Sequence, residues 1–597
     1  METGGAAVQS LIRLELPCSV TLQSPVRATD FCPLQGDVSR VSFSIALSPA
    51  TRAAGRTQSA KPNRRTKAMN KTRSAGVAGR SRGRRFATAL AAATLAVAGA
   101  TACSDAAHEE DRPAPPDRTK AAAITWGPCP EAAKGVARDP KLTCATVKVP
   151  LNYDKPDGTS IEVAISRLTA ADPEKRHGVL LLNPGGPALS GLDMPSTMAP
   201  TLPKSVLDGY DLIGFDPRGV EHSTPQSCGL EVASVPGHFP YPAANGSIDA
   251  NVELARTEAQ KCAVTAGENL RYFNTANTAR DLDRIREALG EKKISYWGQS
   301  YGTYLGAVYS SLYSEQTDRM ILEGNIDPTK VWSGEVQGWG KSMAERFPDA
   351  AAVAAAQNDD LGLGRTVDEV TRTYLALADR LDRKPAPVPG TQQSMNGAIL
   401  RTTTYALLLN NKTLPILAQV WKAAANLADG HLTAADGEVL KQVFAETPPT
   451  PGVPADNQAT MFLALVCGDA EWSHDVADYA TRSAADRKAW PLTAGMPANI
   501  WPCAFWKAPI EKPVTVTDKG PGDILILQNR RDHATPWDSG QGLRKVLGDR
   551  AAFVGVDNGG HYVYNAGSTC ADEATVDFLN TGQLPNEDIF CSDVKQD

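Results

Sequence analysis

An α/β fold is predicted, a mainly parallel sheet flanked by helices with an inserted helical cap. Three observations predict it. Strand-like and helix-like patterns alternate through residues 178–328, as in a parallel sheet covered on both faces. A short apolar run, Ile294-Ser295-Tyr296-Trp297, enters Gly298-Gln299-Ser300-Tyr301-Gly302, and Leu305, Val308, Tyr309 and Leu312 then recur at helical spacing. The pattern changes to Ala-rich helical runs from Thr329 to Glu511, broken by Pro-rich loops, and strand patterning resumes at Asp523.

At 597 residues, 42% hydrophobic and 21% charged, the chain can bury a large core. Its net charge of -6 hides an asymmetry. Residues 1–102 hold 15 Lys/Arg and 4 Asp/Glu, leaving 46 basic and 63 acidic residues, a net of -17, in the remainder. So acidic a body excludes nucleic acid and an anionic membrane surface as partners.

Residues 1–68 are rich in Ser, Arg, Pro and Ala without periodicity, and are expected to be disordered or to precede the true start at Met69. From Met69, a basic segment (Lys71 to Arg85) precedes the apolar run Phe86–Ala102, the pattern of a secretory signal peptide over 69–103. Ala100-Thr101-Ala102-Cys103 resembles a bacterial lipobox, although it lacks the usual larger aliphatic residue three positions before the cysteine. Cys103 is therefore the lipidation candidate, with plain secretion as the alternative. Residues 104–121, rich in Asp, Glu and Pro, read as a flexible tether. Eight cysteines follow, an even number that favours disulfides in an exported protein. No Cys-x-x-Cys or His-x-x-x-His spacing suggests a metal site. Of the 105 possible pairings, sequence proximity selects 129–144, 228–262, 467–503 and 570–591.

The elements follow in order through a first core segment, 122–328. Val179–Leu182 is a continuous apolar strand opening into Asn183-Pro184-Gly185-Gly186-Pro187-Ala188, where glycines let backbone amides approach a ligand. Tyr210–Phe215 is a strand ending in Asp216-Pro217-Arg218-Gly219-Val220, with Asp216 and Arg218 expected to form a structural ion pair. A helix from Thr278 to Leu289 stops at Gly290. The strand, Gly-x-Ser-x-Gly and helix at 294–312 then form a nucleophile-elbow pattern. It exposes Ser300 and directs the Tyr301 N–H toward an oxyanion. Met320–Leu322 is a further strand, ending at Glu323. A helical cap is expected over 329–511. In the closing core segment, 512–597, Asp532 follows the strand Asp523–Leu527, and His561 follows the strand Ala552–Val556. The order Ser300, Asp532, His561 is that of a hydrolase triad. His533 reads as a loop histidine, and Asp538 and Asp557 as lesser alternatives to Asp532.

Asn183-Pro-Gly-Gly-Pro, Asp216-Pro-Arg-Gly-Val, Gly298-Gln-Ser-Tyr-Gly-Thr-Tyr-Leu-Gly, Asp532-x-x-Thr-Pro and Gly560-His561 together resemble the tripeptidyl aminopeptidases of the proline-iminopeptidase family. The resemblance spans residues 122–595. It implies an α/β-hydrolase fold with a cap and a serine exopeptidase acting on peptides with a free N-terminus. Ser300, Asp532 and His561 would be catalytic, with Gly185, Gly186 and Tyr301 around the oxyanion. Ala188 and Glu221 depart from the pattern, standing where the family usually has glycine. Capture of an α-ammonium calls for a carboxylate, and Glu323, Asp469 and Glu471 are the candidates, each also open to a structural role. A cofactor-free monomer is expected, touching a membrane only through Cys103. A secreted carboxylesterase, a proline iminopeptidase or an inactive hydrolase scaffold used for binding are the alternatives. Serine at the elbow excludes dehalogenases and epoxide hydrolases, which place aspartate there.

Overall fold

The computed structural model describes residues 124–594, apart from 133–134, 232–234, 392 and 446–448. The assignments made for 1–68, the signal peptide, Cys103 and the tether lie outside the described residues. Nine strands form one sheet: β1 Thr143–Pro150, β2 Ser160–Leu168, β3 Gly178–Asn183, β4 Tyr210–Phe215, β5 Ile294–Gln299, β6 Thr317–Glu323, β7 Ile524–Arg531, β8 Ala551–Gly559 and β9 Ile589–Cys591. Their order is β1-β2-β4-β3-β5-β6-β7-β8-β9. β1 and β2 pair antiparallel, as do β2 and β4, and every other pair is parallel.

The central strands are apolar end to end because both faces are covered. Val179, Leu181 and Ile213 enter the core on one face, whereas Leu180, Leu182 and Leu212 enter the core on the other. β1 and β2 were not resolved in the sequence. They alternate polar and apolar residues at the sheet's antiparallel edge, so no long apolar run marks them.

β6 and β7 are neighbours, with Met320 opposite Ile524, so the intervening 200 residues leave and re-enter the sheet at one place. That interval is helical, from Ser333–Gln337 to Val476–Ala489. Most of it packs on a core of its own, with Phe347, Tyr374 and Trp421 in ring contact. Helix Asn457–Asp469 is different: Met461, Phe462 and Leu465 join the sheet's core. Four disulfides, Cys129–Cys144, Cys228–Cys262, Cys467–Cys503 and Cys570–Cys591, match the pairing by proximity.

Candidate active site

The elbow is built by local sterics. Ser300 has φ 57° and ψ -124°, a strained conformation for a residue with a side chain, and it caps helix α1 (Tyr301–Leu312). A Cβ at Gly298 would collide with Gly302 O, and one at Gly302 would lie 2.7 Å from Asn183 Oδ1. Both flanks must therefore be glycine. Ser300 N–H donates to Glu323 O (2.9 Å), and Ser300 O accepts from Thr303 N (2.9 Å) and Thr303 Oγ1 (2.6 Å). These bonds hold the turn against β6 and leave the serine side chain half-buried at the sheet's carboxyl edge. The N–H of Tyr301 belongs to the first helical turn, which has no intrahelical acceptor for it.

The loop after β3 runs alongside. Gly185 (φ 88°) and Gly186 (φ 113°) have backbones that favour glycine. A Cβ at Gly185 would lie 2.8 Å from Ser300 Cβ and 3.0 Å from Tyr301 N. Gly185 N–H donates to Asn183 Oδ1 (3.1 Å), so Gly185 contributes close approach and its amide is already engaged. Expectation and structure differ for Gly185, which leaves Gly186 and Tyr301 as the candidate amide donors. Ala188 (φ 74°) and Glu221 (φ 44°), the two departures from the family pattern, also adopt left-handed backbone. That conformation is why glycine is usual there, and each side chain is held in it at a cost of about 1–2 kcal/mol.

Asp532 lies just past β7. Its Oδ1 accepts from Ala534 N (2.9 Å) and Thr535 N (3.1 Å). Its Oδ2 accepts from Thr535 Oγ1 (2.7 Å) and pairs with His561 Nδ1 (2.8 Å). This pairing puts the imidazole proton on Nδ1 and leaves Nε2 as the basic nitrogen. His561 N–H donates to Leu409 O (2.8 Å), and Asn529 Nδ2 donates to Gly560 O and Tyr562 O. Burial pushes the His561 pKa down, but the Asp532 charge and hydrogen bond outweigh it, with Glu323 adding to them, and the net shift is upward. The ring packs on Gly324 (φ 66°), where a Cβ would lie 3.0 Å from His561 Cε1. The end of β6 therefore touches both the elbow and the histidine.

Neither lesser aspartate competes. Asp538 and Asp557 are exposed and pair with Lys341 and Arg531. His533 is buried with its Nε2 against Tyr405 O, and burial pushes its pKa down to about 3.

The anticipated amine-binding carboxylates differ in their surroundings. Glu323, 1% exposed, accepts from Trp297 Nε1, Gln299 Nε2, Val563 N and Tyr564 N, which fills both oxygens. Asp469 is buried and accepts from Thr275 N, Thr275 Oγ1 and Trp332 Nε1, and burial pushes its pKa up to about 6. Through Thr275 it supports the Tyr301 hydroxyl, 2.8 Å from Thr275 Oγ1. Glu471 is exposed. The expected Asp216–Arg218 pair is also absent among the described residues. Arg218 pairs with Asp281, while Asp216 accepts from Ser190 Oγ, Leu192 N and His222 N. Sequence spacing missed Asp281 because it lies 63 residues from Arg218 on helix Thr275–Leu289. It also passed over Glu335, a buried carboxyl on Ser333–Gln337 whose Oε2 accepts from Ser539. Burial pushes its pKa up to about 8. Among the described residues, the one grouping of metal-ligating atoms is Cys570, Cys591 and Asp593, whose sulfurs are joined in a disulfide and offer no thiolate.

A strand-elbow-helix serine, an aspartate–histidine pair on later loops and a parallel sheet define a serine hydrolase. Residues 178–565 match the alpha/beta hydrolase fold family. Tripeptidyl aminopeptidase of Streptomyces lividans is 31% identical over 80% of this chain and 88% of that protein. Serine protease Hip1 of Mycobacterium tuberculosis is 28% identical over 78% of this chain and 91% of its own length. Carboxylesterase B of Mycobacterium tuberculosis is 30% identical over 78% and 90%. The chain belongs to the α/β-hydrolase family, in its tripeptidyl aminopeptidase group of serine hydrolases.

Proposed function

We propose that the protein is a serine aminopeptidase that releases short peptides, tripeptides foremost, from free N-termini through an acyl-enzyme on Ser300. The observation that carries this reading is the Asp532–His561 pair, whose histidine packs on the same end of β6 that holds Ser300 N–H. In the reaction, His561 Nε2 takes the Ser300 proton as Oγ attacks the carbonyl. Asp532 holds the ring and stabilises the imidazolium. The N–H groups of Gly186 and Tyr301 receive the oxyanion, and His561 then protonates the leaving amine. Water repeats the sequence to release the peptide acid. No cofactor is required.

Esterase action is the second reading, favoured by one observation: two of the three carboxylates anticipated for an α-ammonium, Glu323 and Asp469, are buried and already hydrogen-bonded. The identity to carboxylesterase B accords with it. We also propose export, supported by the four disulfides, with a lipid on Cys103 as the membrane attachment and a monomer as the working form.

A panel of a free tripeptide anilide, its N-acetylated form, a proline anilide and a short-chain ester tests the assignment. Turnover of the free tripeptide with rejection of the acetylated one is expected. Preference for the proline anilide would indicate an iminopeptidase, and turnover of the ester alone would overturn the peptidase reading.

A further inference from the structure

We propose that Glu323 is a positioning residue that sets both the orientation and the basicity of His561. The inference rests on the triad reading above, and it starts from an unusual concentration of bonds on one buried carboxylate. Glu323 Oε2 faces β5 and accepts from Trp297 Nε1 and Gln299 Nε2, both at 2.9 Å. Its Oε1 faces the histidine loop and accepts from Val563 N (2.7 Å) and Tyr564 N (2.8 Å). Its backbone O accepts from Ser300 N at 2.9 Å. One residue thus links the strand before the nucleophile, the nucleophile and the two amides just after His561. The next residue, Gly324, is the surface against which the imidazole packs.

The arrangement has an electrostatic consequence. Four N–H donors, two on each oxygen, hold this carboxylate between β5 and the histidine loop. Its charge lies close enough to His561 to favour the imidazolium, in addition to Asp532. The other groups facing His561 are Thr535 and the neutral, buried His533 on the loop after β7, and the ring of Tyr562. From the helix Trp339–Ala356, the Arg346 guanidinium reaches Gly560 and is paired with Asp349. Glu323 and Asp532 are the two anions among these groups that raise the pKa of His561.

The test follows phosphonylation of Ser300 by a fluorophosphonate as a function of pH, on the whole protein. Ser300 Oγ attacks phosphorus, fluoride leaves and His561 takes the proton, so the rate reports the free base of His561 without any assumption about peptide substrates. Glu323→Gln should slow labelling about tenfold, because a carboxamide can accept on only one of its two sides. It should also move the acid limb of the profile to lower pH, since a charge that favours the imidazolium is removed. Gln299→Met keeps the charge and deletes one donor that offsets it, so the acid limb should move to higher pH. Opposite shifts are the signature of a charge acting on His561; a merely structural residue would slow labelling without them. Shifts of the same sign, or none, in whichever variants fold would overturn the proposal. Failure of the wild type to label at Ser300 would instead overturn the triad reading.

Discussion

The elbow around Ser300 and the loop around His561 are assembled in opposite ways. Ser300 sits in a turn shaped mainly by its own neighbours, Gly298, Gly302 and Thr303, within six residues of chain, and braced by Asn183 and the Glu323 carbonyl. His561 is held from far away, its N–H by Leu409 of the helical insertion, its ring by Asp532 and Gly324, and its following amides by Glu323. The elbow is mainly a local device, and the histidine loop is a tertiary one. Sharp local geometry survives only with particular residues, whereas a loop held by distant partners is vulnerable wherever those partners are.

Ser300→Ala breaks the comparison at its local end. Turnover of the cleaved substrate should fall by about 10⁴-fold or more while the circular dichroism spectrum and thermal midpoint stay near wild type. An active Ser300→Ala variant would move the nucleophile elsewhere.

Arg346→Met attacks the distant end. Its guanidinium is fully buried and ties Leu408 O, Asn411 Oδ1 and Asp349 together, beside the Leu409 carbonyl that holds His561. Removing it leaves Asp349 to Arg531 alone and strips a donor from Leu408 O and Asn411 Oδ1, which should cost about 1–3 kcal/mol by urea denaturation. The labelling rate of Ser300 should fall as well, although residue 346 is far from both triad loops in sequence. An unchanged rate would mean that the histidine loop holds itself.

An effect confined to alkaline pH concerns Glu335, which supports α2 (Trp537–Leu547) after the Asp532 loop through Ser539. Its folded pKa of about 8 exceeds the ordinary 4.5, so between those values the native state holds a proton that the unfolded chain has lost. Stability from this group therefore declines as pH rises through that window. Glu335→Gln should remove the decline, raising the urea midpoint at pH 9 relative to wild type and changing it little at pH 5. Equal pH dependence in both proteins would refute it.

How far these regions could be read in the sequence follows from the same difference. The strand-elbow-helix pattern, the glycine loop after β3 and the order Ser300, Asp532, His561 were visible because each rests on residue types forced by backbone geometry or by chemistry at short range. The parallel strands were visible as apolar runs, and the disulfides as close neighbours. The antiparallel strands β1 and β2 were not, since polar residues interrupt each of them and leave no long apolar run.

By itself, then, the sequence determined the class of fold, the strand-elbow-helix turn at Ser300 and the chain order of Ser300, Asp532 and His561, because steric demands at Gly298 and Gly302 and the burial of continuous apolar strands admit few other arrangements. Only the tertiary structure decided what the carboxylates do. Glu323 became a tie between strands and histidine loop, Asp469 a support for Tyr301, and Arg218 a partner of Asp281. A carboxylate's role depends on which donors surround it in space, and those donors come from segments up to 241 residues away.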